Sequence, residues 1–252
     1  DRLTAGPAVT VQGGASLALE GDQTAGTLAG AGTVQLGVHT LRSGAGGDSS
    51  FAGTLAGSGT FVKQGSSSFT LGGSNVHTGL TRVDAGTLVL AAPERLADAS
   101  TLSVATGALL AVNGDETLAG LNLAGTLGGS GTLTAATYTL DGGTAHATLG
   151  TGALSSRGSS TLAAGAAVGS VAVNEGTLTV NGANRFSALP ATTVAGGSSL
   201  VLDGGQIQLI RTIADQIGLA LETTSQRKRE NEALIFEERQ RLARELHDSV
   251  SQ

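Results

Sequence analysis

The stretch VKQGSSSFTLGGSNVHTGLTRVDAGTLVL, residues 62–90, decides the fold of this chain. Apolar and small polar residues alternate along it, most clearly around Leu88 and Leu90. Such alternation over four or five residues is typical of a half-buried β-strand, because successive side chains point to opposite faces. The pair Gly72-Gly73 is expected to supply the positive φ angles of a tight turn. The stretch therefore predicts short strands separated by turns.

The same pattern recurs throughout residues 1–205. The tripeptide Gly-Thr-Leu begins at Gly26, Gly53, Gly86, Gly125, Gly131 and Gly176. The intervals between these positions are irregular, so the repeat is degenerate. Asn-Gly and Asp-Gly pairs, such as Asp141-Gly142 and Asn181-Gly182, punctuate the strands and favour tight turns. The whole segment is therefore expected to be mainly β.

Two architectures suit many short strands with turns between them, a sandwich or barrel and a β-solenoid. A sandwich usually needs bulky side chains in its interior, whereas residues 1–205 contain only four Phe and one Tyr. Small aliphatic residues can fill the narrow interior of a solenoid. We therefore expect a solenoid of about ten coils, with ~20 residues and a ~4.8 Å rise per coil. Disorder is disfavoured because charge is low and the apolar residues alternate.

The composition changes abruptly near residue 205. Residues 1–205 hold 39 of the 40 glycines and 19 charged residues, whereas residues 206–252 hold one glycine and 15 charged residues. The chain has no Cys, which excludes disulfides and Cys-based metal sites. Neither part has an excess of basic residues, so no nucleic-acid partner is expected. We therefore divide the chain into two domains, 1–205 and 206–252.

Residues 62–90 resemble the passenger-associated repeat of bacterial autotransporters. The residues that fall on the pattern of that repeat are Lys63, Gly65, Phe69, Leu71, Asn75, Thr78, Gly79, Val83, Gly86 and Leu88. His77 stands where a Tyr is usual, and residues 173–202 resemble the repeat more weakly. The resemblance implies a right-handed parallel β-helix that is carried to the cell surface or secreted, with a host-surface or cell–cell adhesion ligand.

No catalytic or metal site is predicted in this first domain. No nucleophile elbow, paired-histidine motif or phosphate loop surrounds its histidines, so we interpret His39, His77 and His146 as solvated loop or strand-face residues. Asp115 and Glu116 form its one adjacent acidic pair, and neighbours on a strand point to opposite faces. We therefore expect a non-catalytic protein without a metal or cofactor.

Residues 206–252 carry a different periodicity. From Ile210 to Leu221, and again from Leu234 to Val250, apolar residues recur at intervals of three and four, which predicts a C-terminal α-helix. A continuous helix of this length would be ~70 Å long. A single helix cannot bury its own apolar seam, so we expect a homodimer through this helix.

The end of this segment resembles the H-box of nitrate-sensor-like histidine kinases. The matching run is RLARELHD at 241–248, and QIQLIRTIADQIGLALE at 206–222 resembles the last helix of a GAF sensor domain. The resemblance implies that His247 is the phosphoacceptor and Asp248 the base that activates its imidazole. It also implies that Gln252 orients water for dephosphorylating a response regulator.

The two resemblances imply different compartments, because a passenger acts outside the cell and the natural parent of the tail is cytoplasmic. No ATP-binding domain is present, so we expect no autophosphorylation, and the missing initiator Met suggests a processed product or a fragment. The most economical interpretation is a chimera whose larger part is a non-catalytic adhesion passenger. The alternative is a two-component histidine kinase fragment in which His247 accepts a phosphoryl group.

Overall fold

The computed structural model describes residues 6–182, 185–188 and 190–202, and beyond them only Lys228. The chain divides into two units, residues 1–203 and 204–252. The described part of the first unit is a parallel β-solenoid without a helix. Apart from Lys228, the C-terminal α-helix predicted for residues 206–252, with its candidate phosphoacceptor site, lies outside the described residues.

Two large sheets and one small sheet form the walls of the solenoid. The first sheet contains, in spatial order, β1 (Ala8–Val11), β4 (Thr27–Gly30), β7 (Ser49–Phe51), β10 (Ser68–Leu71), β12 (Thr87–Leu90), β14 (Leu109–Val112), β16 (Thr126–Gly128), β18 (Thr144–Ala145), β21 (Ser159–Leu162), β23 (Thr177–Val180) and β25 (Ser199–Leu202). The second contains β3 (Gln23–Ala25), β6 (Thr40–Ser43), β9 (Thr60–Lys63), β11 (Leu80–Val83), β13 (Thr101–Val104), β15 (Glu116–Leu123), β17 (Thr132–Asp141), β20 (Ala153–Arg157), β22 (Ser170–Val173) and β24 (Ala191–Val194), with β19 (Thr148–Leu149) also beside β17. The third contains β2 (Ser16–Ala18), β5 (Thr33–Gly37) and β8 (Thr54–Gly57).

Neighbouring strands in these sheets are parallel, and each lies one coil further along the chain. Ala8 of β1 lies beside Thr27 of β4, and Leu109 of β14 lies beside Thr126 of β16. The eleven strands of the first sheet therefore mark about ten turns of a parallel solenoid. This confirms the predicted solenoid over the sandwich or barrel, while its right-handed sense stays a prediction.

The interior is filled by inward-facing Leu, Val and Ala side chains, as the alternation predicted. The aromatic residues among them are fully buried, and the Phe61 and Phe69 rings lie 5.2 Å apart between centroids. Tyr138 is also buried, and its hydroxyl donates to Leu133 O at 2.9 Å and accepts from Ala135 N at 2.8 Å. The hydroxyl thus satisfies two backbone groups within the long strand β17.

The third sheet ends at β8, where residues 76–78 still donate to Leu55 O and Gly57 O but a side chain accepts from Leu55 N. Asn75 Oδ1 accepts a hydrogen bond from Leu55 N at 2.9 Å, and Asn75 Nδ2 donates to Arg95 O at 2.8 Å. One coil later, Glu116 accepts from Arg95 N at 2.8 Å and Leu96 N at 2.7 Å. These two polar side chains satisfy backbone groups that a strand would otherwise pair.

Stacked glycines form one corner of the solenoid. Gly44, Gly65 and Gly86 follow one another on successive coils, with φ angles of 104°, 74° and 68°. Lys63 is buried beside this corner, where its ammonium donates to Gln64 O, Gly65 O and Ala85 O at 2.8–3.0 Å. The corner thus buries a charge whose three donors all find carbonyl partners.

The turn interpretation of the glycine pairs holds only in part. Gly142 and Gly182 adopt the expected positive φ, at 78° and 95°. Gly72 and Gly73 do not, so the sequence-based expectation for this pair is wrong. A Cβ on Gly73 would lie 2.5 Å from Ala52 O, so the residue is small because neighbouring coils approach closely there.

Candidate functional site

The solenoid keeps its three histidines in different environments. His146 is exposed and His39 half-buried, as expected for solvated residues, but His77 is fully buried and that interpretation is wrong for it. The His77 Nε2 atom lies 2.8 Å from Thr81 Oγ1, and burial lowers the pKa of His77 to about 4. The repeat pattern could have indicated this burial, because an aromatic Tyr usually occupies the position of His77.

The acidic pair splits between the two faces of the chain, as predicted. Asp115 is exposed and its Oδ1 accepts from Thr132 N at 2.9 Å, while Glu116 is 1% exposed. Burial raises the pKa of Glu116 to about 7, even though two backbone N–H groups stabilise its charged form. Both carboxylates therefore serve the backbone of neighbouring coils and do not form an acid/base couple.

Among the described residues, no three His, Asp or Glu side chains gather closely enough to hold a metal ion. The described part of the chain also contains no helix with the length and hydropathy of a membrane span. The outer faces of the solenoid carry further polar side chains.

A row of polar side chains runs across the outer face of the second sheet. Its members are Cα neighbours on successive strands, namely Arg82, Ser103, Asn122, Thr139 and Ser155. A second outward row lies two residues further along each strand and contains Asp84, Ala105, Ala124, Asp141 and Arg157. Because neighbouring parallel strands lie about 4.8 Å apart, three consecutive coils bring these side chains within reach of one ligand.

A cavity of about 250 Å³ lies between these rows. We call it the polar groove and define it by Ser103, Ala105, Asn122, Ala124, Thr139 and Asp141, which line it together with Val104 and Leu123. The two alanines form its low part, since their side chains end at Cβ. Asn122 and Asp141 are exposed, so their polar atoms are open to solvent.

Charged side chains stand at both ends of the groove. On one side, Arg82 Nε lies 2.6 Å from Asp84 Oδ1 in an exposed ion pair. On the other side, Asp141 lies beside Arg157 in the register of β17 and β20. Among the described residues that line the groove, Asp141 alone is titratable. The groove can therefore donate and accept hydrogen bonds, but it lacks the pair of titratable groups that acid/base catalysis uses.

The sequence did not point to these residues as a group. Ser103, Asn122 and Thr139 are Cα neighbours in the sheet, but the stretch of chain from Ser103 to Asn122 is longer than the one from Asn122 to Thr139. Because the coils differ in length, a sequence search for polar residues at a fixed spacing would not find this row.

Two segments of the solenoid, residues 61–90 and 172–202, match the family described as Passenger-associated-transport-repeat. Both segments are similar to this repeat. Each match covers parts of four strands, two from each large sheet, and ends with the last residue of a first-sheet strand, Leu90 or Leu202. The resemblance that the sequence predicted for these segments is confirmed.

A curated relative is the Adhesin BmaC autotransporter of Brucella suis biovar 1 (strain 1330), which is 34% identical over 166 residues. The alignment covers 64% of this chain but only 4% of that adhesin, so the chain spans a small part of its relative's length. No solved structure matches the chain. The chain is thus similar to a segment of an autotransporter adhesin, whereas the H-box resemblance of residues 241–248 stays a prediction.

Proposed function

We propose that residues 1–205 are a segment of the secreted passenger of a bacterial surface adhesin. In this role the solenoid is a non-catalytic scaffold, displayed at the cell surface, whose outer faces attach to a host surface or to another cell. The observation that carries the proposal is the placement of two passenger-repeat matches on equivalent strands of one solenoid.

The two repeat copies use the same local structure, which supports a shared role. In each copy a glycine with positive φ precedes the last strand, Gly86 at 68° and Gly197 at 82°. Each glycine lies three residues after an equivalent valine, Val83 or Val194. The repeat therefore encodes how one coil stacks on the next, which suits a scaffold whose length grows by adding coils.

The absence of Cys also suits export. A disulfide closes a loop of the chain, and a closed loop would hinder the passage of a chain through an outer-membrane pore. The solenoid instead obtains its stability from stacked coils and a continuous apolar interior.

The test is display of residues 1–252 on a non-adherent bacterium, fused ahead of the membrane domain of an autotransporter. We expect antibodies to label the chain on intact cells, and these cells to attach to epithelial monolayers more than cells with the membrane domain alone. The matched control displays an unrelated solenoid of similar length. Surface labelling without attachment above that control would contradict the adhesion role.

For the tail we propose a second function, in which His247 accepts a phosphoryl group in the natural parent of residues 206–252. The support is the run Arg241–Asp248 of the sequence, with Asp248 as the adjacent base and Gln252 in the phosphatase position. The test supplies a histidine-kinase catalytic domain and labelled ATP in trans. If the wild-type chain becomes labelled and the His247→Gln variant does not, the role is supported. Equal labelling of the two chains would refute it.

We also propose that the two parts do not share one evolved function, since one suits the cell surface and the other the cytoplasm. Homodimerisation through the tail and contact with a response regulator belong to the second part alone. Intact-mass measurement of the chain from its native cells tests this. A single species containing both parts would count against an artificial fusion.

A further inference from the structure

We infer that the polar groove, formed by Ser103, Ala105, Asn122, Ala124, Thr139 and Asp141, binds one residue of a neutral saccharide. This inference rests on the proposed function, because it names the ligand chemistry of the displayed adhesin. It concerns a site built from three successive coils rather than from a single repeat.

The size of the groove limits the ligand to a small ring. Pockets that enclose drug-sized ligands usually measure about 300–1,000 Å³, and the groove measures about 250 Å³. Ala105 and Ala124 create this space, because longer side chains at these outward positions would fill it. A single sugar residue within a longer chain fits such a shallow recess, with the rest of the chain lying along the sheet.

The groove offers the hydrogen-bonding groups that suit hydroxyls. Ser103 and Thr139 hydroxyls each donate and accept, the Asn122 carboxamide does both, and the Asp141 carboxylate accepts. A sugar hydroxyl also donates and accepts, so it can pair with any of these groups. Adjacent hydroxyls on a ring can bond to neighbouring coils at the same time.

These side chains are not occupied in holding the solenoid together. Elsewhere, Asp48 accepts from Ser68 N and Asp115 accepts from Thr132 N, so each carboxylate caps the next coil. Asn122 and Asp141 make no such bond to the described part of the chain. Their polar atoms are therefore available to a ligand.

The charge of the groove and of the chain selects against acidic ligands. An acidic saccharide or peptide would meet the Asp141 carboxylate on a chain of net charge −6. An apolar ligand finds no large exposed side chain, since Val104 and Leu123 in the lining are 1% and 0% exposed. A neutral polyhydroxylated ligand matches the hydroxyl, carboxamide and carboxylate groups that line the groove.

The test uses the purified full chain, fluorescently labelled, on an array of neutral oligosaccharides with their sialylated and sulfated counterparts. Ala124→Arg fills the groove, and Asn122→Ala removes a donor and an acceptor. Thr193→Ala is the matched control, because Thr193 is an exposed residue of the same outward row, three strands beyond Thr139. Thermal unfolding of each variant verifies that it folds.

We expect binding to at least one neutral oligosaccharide, a loss of about tenfold or more in both groove variants, and little change in the control. No binding to neutral oligosaccharides, binding to acidic ones alone, or equal binding by Ala124→Arg would each overturn the inference. The display assay separates the two proposals. If the wild-type chain attaches to cells but binds no neutral oligosaccharide, the adhesion role stands and the groove inference falls. A wild-type chain that binds oligosaccharides on the array but never attaches to cells removes the adhesion role itself.

Discussion

The Asn75 side chain accepts a hydrogen bond from the backbone N–H of Leu55 at 2.9 Å, one coil away. A carboxamide thus takes the place of the backbone acceptor that a fourth strand of the third sheet would offer to Leu55 N. Because Asn75 is 3% exposed, water cannot easily take over this bond. The contact therefore makes a testable contribution to stability.

We expect Asn75→Ala to lower the free energy of unfolding by about 1–3 kcal/mol, since it leaves the buried Leu55 N–H without a partner. Chemical denaturation measures the change. The matched control is Asn174→Ala, because Asn174 is exposed and its 2.8 Å bond goes to the side chain of Ser155. Equal losses of unfolding free energy in the two variants would show that the buried Asn75 contact stabilises the fold no more than an exposed one.

Gly86 of the glycine corner can be compared with Gly107, a second glycine at positive φ. Gly86 has φ 68° and Gly107 has φ 79°, so Ala at either position costs about 1–2 kcal/mol for the left-handed backbone. A Cβ at Gly86 would also lie 2.5 Å from Gly65 O and 2.8 Å from Lys63 Nζ, whereas a Cβ at Gly107 meets nothing within 4 Å. We expect Gly86→Ala to be clearly the more destabilising in chemical denaturation. The opposite order would disprove the close stacking at this corner.

Glu116 gives the solenoid a pH-dependent stability. Burial raises its pKa from 4.5 to about 7, so the folded chain favours the protonated acid. Its contribution is therefore fully present below pH 4.5 and is lost as pH rises through about 7. We expect the stability of Glu116→Gln relative to wild type to increase between about pH 5 and about pH 8, measured by chemical denaturation at each pH. A difference that does not change with pH would contradict the shift.

His77 acts in the opposite direction. Burial lowers its pKa from 6.5 to about 4, so its contribution is present above pH 6.5 and is lost as pH falls toward 4. Because Glu116 titrates in an overlapping range, the clean comparison is His77→Phe in the Glu116→Gln background. We expect the Phe variant to lose less stability than its background as the solution is acidified. If the free energies of unfolding of the two proteins fell equally as the pH was lowered, a neutral, buried His77 would be refuted.

Much of the solenoid could be predicted because its pattern is local. Alternation such as Thr87 to Leu90 fixes which side chains face inward, and small aliphatic residues with few aromatics favour a narrow interior. The exact length of each coil could not be predicted, because the repeats recur at irregular intervals.

The features that escaped prediction depend on contacts between coils. Asn75 follows Gly-Gly-Ser, which is typical of an exposed turn, yet its side chain is buried against Leu55. Lys63 falls on the repeat pattern, but only the structure shows that three carbonyls of its own corner bind its ammonium. The polar groove requires coils of unequal length to align three side chains, and only the strand register supplies that alignment.

Parallel stacking gives the solenoid direction-dependent mechanics. Its backbone hydrogen bonds run from coil to coil, as between Ala8 and Thr27, and so lie along the long axis. A pull along that axis loads one coil's bonds at a time, and the chain unwinds in steps of one coil, each releasing a length of slack. A pull across the axis loads many bonds together. Single-molecule stretching of the solenoid between residues 6 and 202 should therefore show a ladder of small, similar force drops. In the adhesin proposed above, such steps would let an attached cell yield gradually under flow without detaching at once.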